Sequence, residues 1–218
     1  VSDFAHADLA RSQIIRNVWY AFRRQATEFP LPAGAMALPA AKNRKALGEL
    51  IQDLRKVDLF SNLPEEDLRI IIPSVKVGQY GRGEVIIRQG AVGDSFFVLR
   101  RGTVEVLVNG AGRHAPIVVN HIDHLTQPNY FGEIALLKGE PRNATVRAGT
   151  DVEVLEVNRE GFAHLFKARP ESAPAIAKIA ALREEQNVAR TSAMVVSSAA
   201  VQEEQNTMLA TMRKIFDF

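Results

Sequence analysis

Phe131-Gly132-Glu133-Ile134-Ala135-Leu136-Leu137-Lys138-Gly139-Glu140-Pro141-Arg142-Asn143-Ala144-Thr145-Val146 sets a glycine and a carboxylate at the mouth of a short apolar helical turn. Arg142 returns nine residues after Glu133, just before a strand-like run. That order of residue types suits a pocket for a small sugar phosphate. Backbone N–H groups at a helix start attract an anion. A guanidinium forks onto phosphate oxygens, and a carboxylate accepts from ribose hydroxyls. Gly132 serves both a tight turn and a close backbone approach.

Working outward, residues 75–158 carry short β-branched or alternating runs between glycine-containing turns. The runs are Val85–Arg88, Ser95–Leu99, Thr103–Val108, Ile117–Ile122, Thr145–Ala148 and Val152–Val157. Regular spacing of this kind predicts a β-sandwich or jelly roll. Asn109 to Asn129, with Gly110, Gly112, Pro116 and Pro128, adds a hairpin and a longer connection. On either side the pattern is helical, so the fold class is α+β. Leu47, Leu50, Ile51 and Leu54 share one helix face. Pro64-Glu65-Glu66-Asp67 opens another helix, closed at Pro73. Further upstream, Ile15, Val18, Trp19 and Phe22 predict an amphipathic helix that stops before Pro30.

Composition narrows the function classes. The 218 residues include 27 basic and 25 acidic side chains, net +2, with no basic stripe of the kind that binds nucleic acid. The absence of cysteine excludes disulfides and thiolate metal sites. His6, His114, His121, His124 and His164 have no recurring ligand spacing, so no metal is expected. Ser74 and Ser95 lack a histidine–acid set, so no catalytic residues are assigned. No apolar run reaches the ~18 residues of a membrane span. Without an initiator Met, Val1 reads as the start of a piece of something longer.

The whole stretch from Phe131 to Val146 resembles the phosphate-binding cassette of cyclic nucleotide-binding domains, a pattern F-G-E-x-A-L followed by R-x-A-T. The resemblance extends upstream through Gly81-Arg82-Gly83-Glu84 to Gly90, Gly93-Asp94-Ser95-Phe96-Phe97-Val98-Leu99 and Gly102-Thr103-Val104-Glu105-Val106. Downstream it takes in Val152-Glu153-Val154-Leu155-Glu156-Val157 and Phe162, about residues 45–190 in all. It implies that Arg142 pairs with the exocyclic oxygens of a cyclic phosphate, a contact worth about 1.5–3 kcal/mol. Glu133 is implied at the ribose 2′-hydroxyl, and the N–H groups of Ile134, Ala135 and Ala144 at the phosphate. An acid in a first helical turn also simply favours the helix dipole. Asn143 stands where the family often has a hydroxyl that helps recognise guanine. An amide excludes neither base, and the family's habit favours cyclic AMP over cyclic GMP. No further cofactor is implied.

On the helix after the sandwich, Arg183 follows Ile176 by seven and Ile179 by four, so it lies on the apolar stripe and faces inward. It is either a snorkelling structural arginine or, as the family's closing helix implies, a lid residue that stacks over the purine.

Fewer than 30 residues follow Arg190, too few for a helix-turn-helix domain. Ile14 to Arg24, then Glu28-Phe29-Pro30-Leu31-Pro32, resembles the end of the cytoplasmic domain of small-conductance mechanosensitive channels. That resemblance implies residues 1–32 as the end of an upstream vestibule-like domain, 33–44 as a linker and 45–190 as the cyclic nucleotide-binding domain. Residues 191–218 read as a flexible Ser/Ala stretch plus a short amphipathic tail with Met208, Leu209, Met212, Ile215 and Phe216. The implied whole is a homo-oligomeric bacterial channel, with this segment on the cytoplasmic side of the membrane and making no membrane contact itself. The alternative is a stand-alone soluble sensor acting through protein partners.

Overall fold

The computed structural model describes residues 40–108, 117–125, 129–192 and 198–218, together with Ile14, Val18 and Ala21 in a helix upstream. Of the predicted N-terminal stripe, Val18 is 48 % exposed, and Ile15, Trp19 and Phe22 lie outside the described residues. The rest of the channel-like flank and residues 33–39 of the predicted linker lie outside them too, while residues 40–44 of that linker belong to the helix Ala40–Arg55.

Two four-stranded antiparallel sheets form the centre. One runs β1 (Val75–Tyr80), β8 (Val152–Asn158), β3 (Ser95–Arg101), β6 (Tyr130–Phe131). The other runs β2 (Val85–Ile87), β7 (Thr145–Ala148), β4 (Thr103–Val108), β5 (Ile117–Asp123). Successive side chains of a strand point to opposite faces, and β3 uses both. Phe97 and Leu99 turn into a core between the sheets with Ile87, Val104, Phe131, Val146 and Val154. Phe96 and Val98 turn the other way, into a second core roofed by helices. Burial on both faces is why β3 reads as an unbroken apolar run rather than an alternating one.

The helical layer comprises α1 (Ala40–Arg55), α2 (Glu65–Ile71), α3 (Glu133–Lys138), α4 (Arg159–Ala168), α5 (Ala173–Ser192) and α6 (Ser198–Phe216). Phe162 of α4 sits at its centre, with ring centroids of Phe60, Phe96, Phe166 and Phe216 at 5.9, 6.1, 5.8 and 6.4 Å. The Asn158 side chain accepts from the Gly161 N–H at 3.1 Å, so the chain turns from β8 into α4 on a satisfied cap. Small residues line the buried face of α5, where Ala173, Ala177, Ala180 and Ala181 are fully covered.

The sandwich and its flanking helices match the expected class, and the predicted runs fall within a residue or two of observed strands. Strands β1 and β6 were not anticipated. The tail differs as well. Of the predicted flexible stretch, Thr191 and Ser192 finish α5 and Ser198 to Ala200 begin α6, while residues 193–197 lie outside the described residues. The tail helix is 19 residues long, and Met208, Met212 and Phe216 recur at i, i+4 and i+8 as fully or nearly fully buried core residues. Burial of that apolar face, not propensity, accounts for an ordered helix in so polar a segment.

Candidate functional site

The two residues of β6 pair with β3, Phe97 opposite Phe131 and Val98 opposite Tyr130, which delivers the chain to Gly132 at the edge of the sheet. Gly132 has φ +87° and ψ 1°. A Cβ there would lie 2.7 Å from Arg142 Nη1 and 3.0 Å from Ile87 Cδ1, so both reasons for a glycine apply. Glycine at this cap supplies no side-chain acceptor, and the first N–H groups of α3 carry no side-chain cap.

Arg142 is held at the mouth from several directions. Its N–H donates to the Ala91 carbonyl and its own carbonyl accepts from Gly90, each at 2.8 Å. Its guanidinium donates to the Gly132 carbonyl at 2.7 Å and to Ser95 Oγ at 3.1 Å, and lies 6.0 Å from the centroid of the Phe97 ring. The residue is 6 % exposed. Burial lowers its affinity for the proton, against the opposing pull of Asp94, Glu133 and Glu156, so the charge is retained at a desolvation cost. A buried cation whose hydrogen-bond partners are neutral is arranged to meet an anion.

Glu133 begins α3 and is 2 % exposed. Its Oε1 is 3.1 Å from Nε of Arg183. Among the described residues its Oε2 makes no hydrogen bond, which leaves one carboxylate oxygen for a ligand hydroxyl. Ile134 and Ala135 are buried, Ala144 is half-buried and Asn143 is exposed on the turn beside Arg142. Gly93 brings its loop against Ala135 with no room for a Cβ.

Arg183 faces inward from α5 as its place on the stripe predicts, and is 9 % exposed. Besides Glu133, it donates from Nη1 and Nη2 to the Tyr130 carbonyl at 3.3 Å each and lies 3.9 Å from the Tyr130 ring centroid. Burial opposes its charge, and Glu133 and Tyr130 outweigh that, holding it above its ordinary value. The structure therefore joins Gly132, Glu133, Arg142 and Arg183 around one short helix.

Three contributors were missed by sequence reasoning. Ser95 accepts from Arg142, Tyr130 is the platform under Arg183, and Lys138 closes α3 in contact with Glu184 and Glu204 at 2.9 and 3.2 Å. Only Ser95 left a signal, a polar residue opening an otherwise apolar strand.

Tyr130 carries a prediction. It is fully buried, and burial raises its phenol well above the ordinary value near 10, against the opposing effect of Arg183. The unfolded chain releases that proton near pH 10 and the folded chain keeps it. The contribution is thus fully present below that pH and is lost as pH rises beyond it. Urea midpoints taken from about pH 8 to 11 should fall at the alkaline end. Tyr130→Phe should flatten the fall, and an unchanged slope would reject the assignment.

Comparison with known proteins agrees with this geometry. Residues 77–169 match the family model described as cyclic nucleotide-binding domain. Human cGMP-dependent protein kinase 2 is 39 % identical over 110 residues, which is 50 % of this chain and 14 % of the kinase. The regulatory domain of Toxoplasma gondii PKA, crystallised with cAMP, aligns at a TM-score of 0.52 and 26 % identity, over 58 % of this chain and 47 % of that one. A cyclic nucleotide-binding domain from Methylobacillus flagellatus KT aligns at a TM-score of 0.56 and 15 % identity, over 71 % and 87 %. The chain thus spans about a seventh of the kinase and about half of the Toxoplasma chain.

Proposed function

We propose, for a chain whose residues 77–169 carry a cyclic nucleotide-binding domain, that the pocket at the start of α3 senses a cyclic nucleotide and passes its occupancy to the surrounding helices. The observation that carries this is the buried pair of opposite charges flanking Gly132, Glu133 at 2 % and Arg142 at 6 % exposure. Arg142 forks onto the exocyclic phosphate oxygens, and the N–H groups of Ile134, Ala135 and Ala144 add donors. Oε2 of Glu133 accepts from the ribose 2′-hydroxyl. Arg183 supplies the lid, its guanidinium face turned from Tyr130 to the purine. The role is binding and regulation, with no bond made or broken.

Cyclic AMP is the preferred ligand in this proposal on the family's habit alone, since the amide of Asn143 excludes neither base. Parallel titrations with cyclic AMP and cyclic GMP test it. Tighter binding of cyclic AMP is expected, and preference for cyclic GMP would overturn the choice of base without touching the site.

The sensed signal is proposed to bias the gate of a membrane channel, on the resemblance of Ile14 to Pro32 to the end of a mechanosensitive channel's cytoplasmic domain. Among the described residues no helix is long and apolar enough to cross a membrane, so the spans would belong to sequence beyond these residues. A ligand shifts a gate only by its affinity difference between open and closed states, which makes graded modulation the expected effect. Patch recordings of the full-length protein, with identical open probability with and without nucleotide, would remove the channel step alone.

A further inference from the structure

The helix α3 is gripped at both ends by its neighbours. Adjacent residues of α5 take opposite ends of it, Arg183 on Glu133 at 3.1 Å and Glu184 on Lys138 at 2.9 Å. A second acid, Glu204 of α6, reaches the same Lys138 at 3.2 Å. Just beyond, Gly139 caps α3 with φ +67°, and a Cβ there would come 2.8 Å from Ile215 Cδ1 of α6. The tail helix therefore lies directly on the C-terminal end of the helix whose first residue is Glu133.

These contacts are electrically unbalanced. Three carboxylates meet one ammonium, the third being Glu140 just past the end of α3 at 3.6 Å, and the second oxygen of Glu184 is buried without a hydrogen bond. Without Lys138, Glu184 and Glu204 would face each other across the join of α5 and α6 with their repulsion uncompensated. Lys138 therefore fastens three helices at one point. A six-residue helix is a stiff rod of roughly 9 Å, so a displacement at Glu133 is felt at Lys138 rather than absorbed between them.

We infer that α6 is a strap whose docking on Lys138 and Gly139 holds α3 in the position that presents Glu133 to ligand, so that nucleotide binding and α6 docking strengthen each other. The inference rests on the cyclic nucleotide reading of the pocket. Coupling of this kind is reciprocal. A ligand that favours the docked arrangement tightens the strap, and loosening the strap lowers the share of molecules ready to bind.

The test is hydrogen exchange on the whole chain with and without saturating cyclic AMP, beside calorimetric affinities of the wild type and Glu204→Gln. Glu204 touches Lys138 and no residue of the pocket, and the substitution leaves the Lys138–Glu184 contact in place. Slower exchange across Ser198–Phe216 on adding nucleotide is expected, with Glu204→Gln binding about fivefold more weakly, the lower end of ordinary coupling between sites. Nucleotide that binds the wild type without altering exchange in α6 would overturn the strap and leave the pocket standing. That arm needs no variant, so a poorly folded mutant cannot shield the inference. Equal affinity of Glu204→Gln would likewise overturn it. No binding by the wild type would overturn the pocket and the strap together.

Discussion

Arg142→Ala is expected to weaken cyclic nucleotide binding by at least tenfold while leaving the sandwich folded. In the proposed site the guanidinium is the cation that meets the phosphate, and hydrogen bonds to a charged partner are worth about 1.5–3 kcal/mol, or roughly 10- to 150-fold in affinity. The loss should not be recovered by Arg142→Lys. An ammonium is a point charge and cannot bridge the Gly132 carbonyl and Ser95 Oγ, which Arg142 reaches with two different nitrogens. Removing the side chain strands those two acceptors and opens space beside Phe97, so some stability is lost as well. Calorimetry reads the affinity and a thermal melt the fold. An alanine variant that binds as tightly as the wild type would show that the phosphate lies elsewhere.

The largest effect on stability is expected from Phe162→Ala. Phe162 has no exposed surface, and its ring contacts Phe60 from the turn after α1, Phe96 from β3, Phe166 from its own helix and Phe216 from α6. Truncating a buried phenylalanine costs about 3–5 kcal/mol, the transfer term plus the cavity left behind. A domain is stable by only about 5–15 kcal/mol. Urea unfolding should show a much lower midpoint with an unchanged slope. Val92→Ala, at a side chain 78 % exposed, should move the midpoint little. If the two variants lost similar amounts, the ring cluster would not be the centre of the helical core.

Much of this was legible in the chain because two periodicities are written plainly. Ser95 to Leu99, Thr103 to Val108 and Val152 to Val157 are β-branched or aromatic runs between turn residues, and each became a strand. The strands that escaped notice lack that signature. In β1, Lys76, Gly78 and Gln79 interrupt the apolar residues, and its place comes from continuous pairing with β8, from Val75 opposite Val157 to Tyr80 opposite Val152. At two residues β6 is too short to have a period; its pairing with β3 defines it.

The site divides the same way. Gly132, Glu133 and Arg142 could be read from local order, and Arg183 could be placed inward because its spacing to Ile176 and Ile179 is helical. What surrounds them could not. Ser95 reaches Arg142 across 47 positions and Lys138 reaches Glu204 across 66, contacts that exist only once the sheets and helices have assembled. The tail looked like a short appendage because its polar residues outnumber its apolar ones. Its register, Met208, Met212 and Phe216, is what places it in the core.

The most direct test of the central claim is calorimetric titration of the intact chain with cyclic AMP, beside linear 5′-AMP as the control. The account predicts saturable micromolar binding of the cyclic nucleotide and much weaker binding of the linear one, whose extra charge and open phosphate do not fit between Arg142 and Glu133. No binding of cyclic AMP at millimolar concentration would contradict it and leave the buried Glu133, Arg142 and Arg183 as a purely structural network.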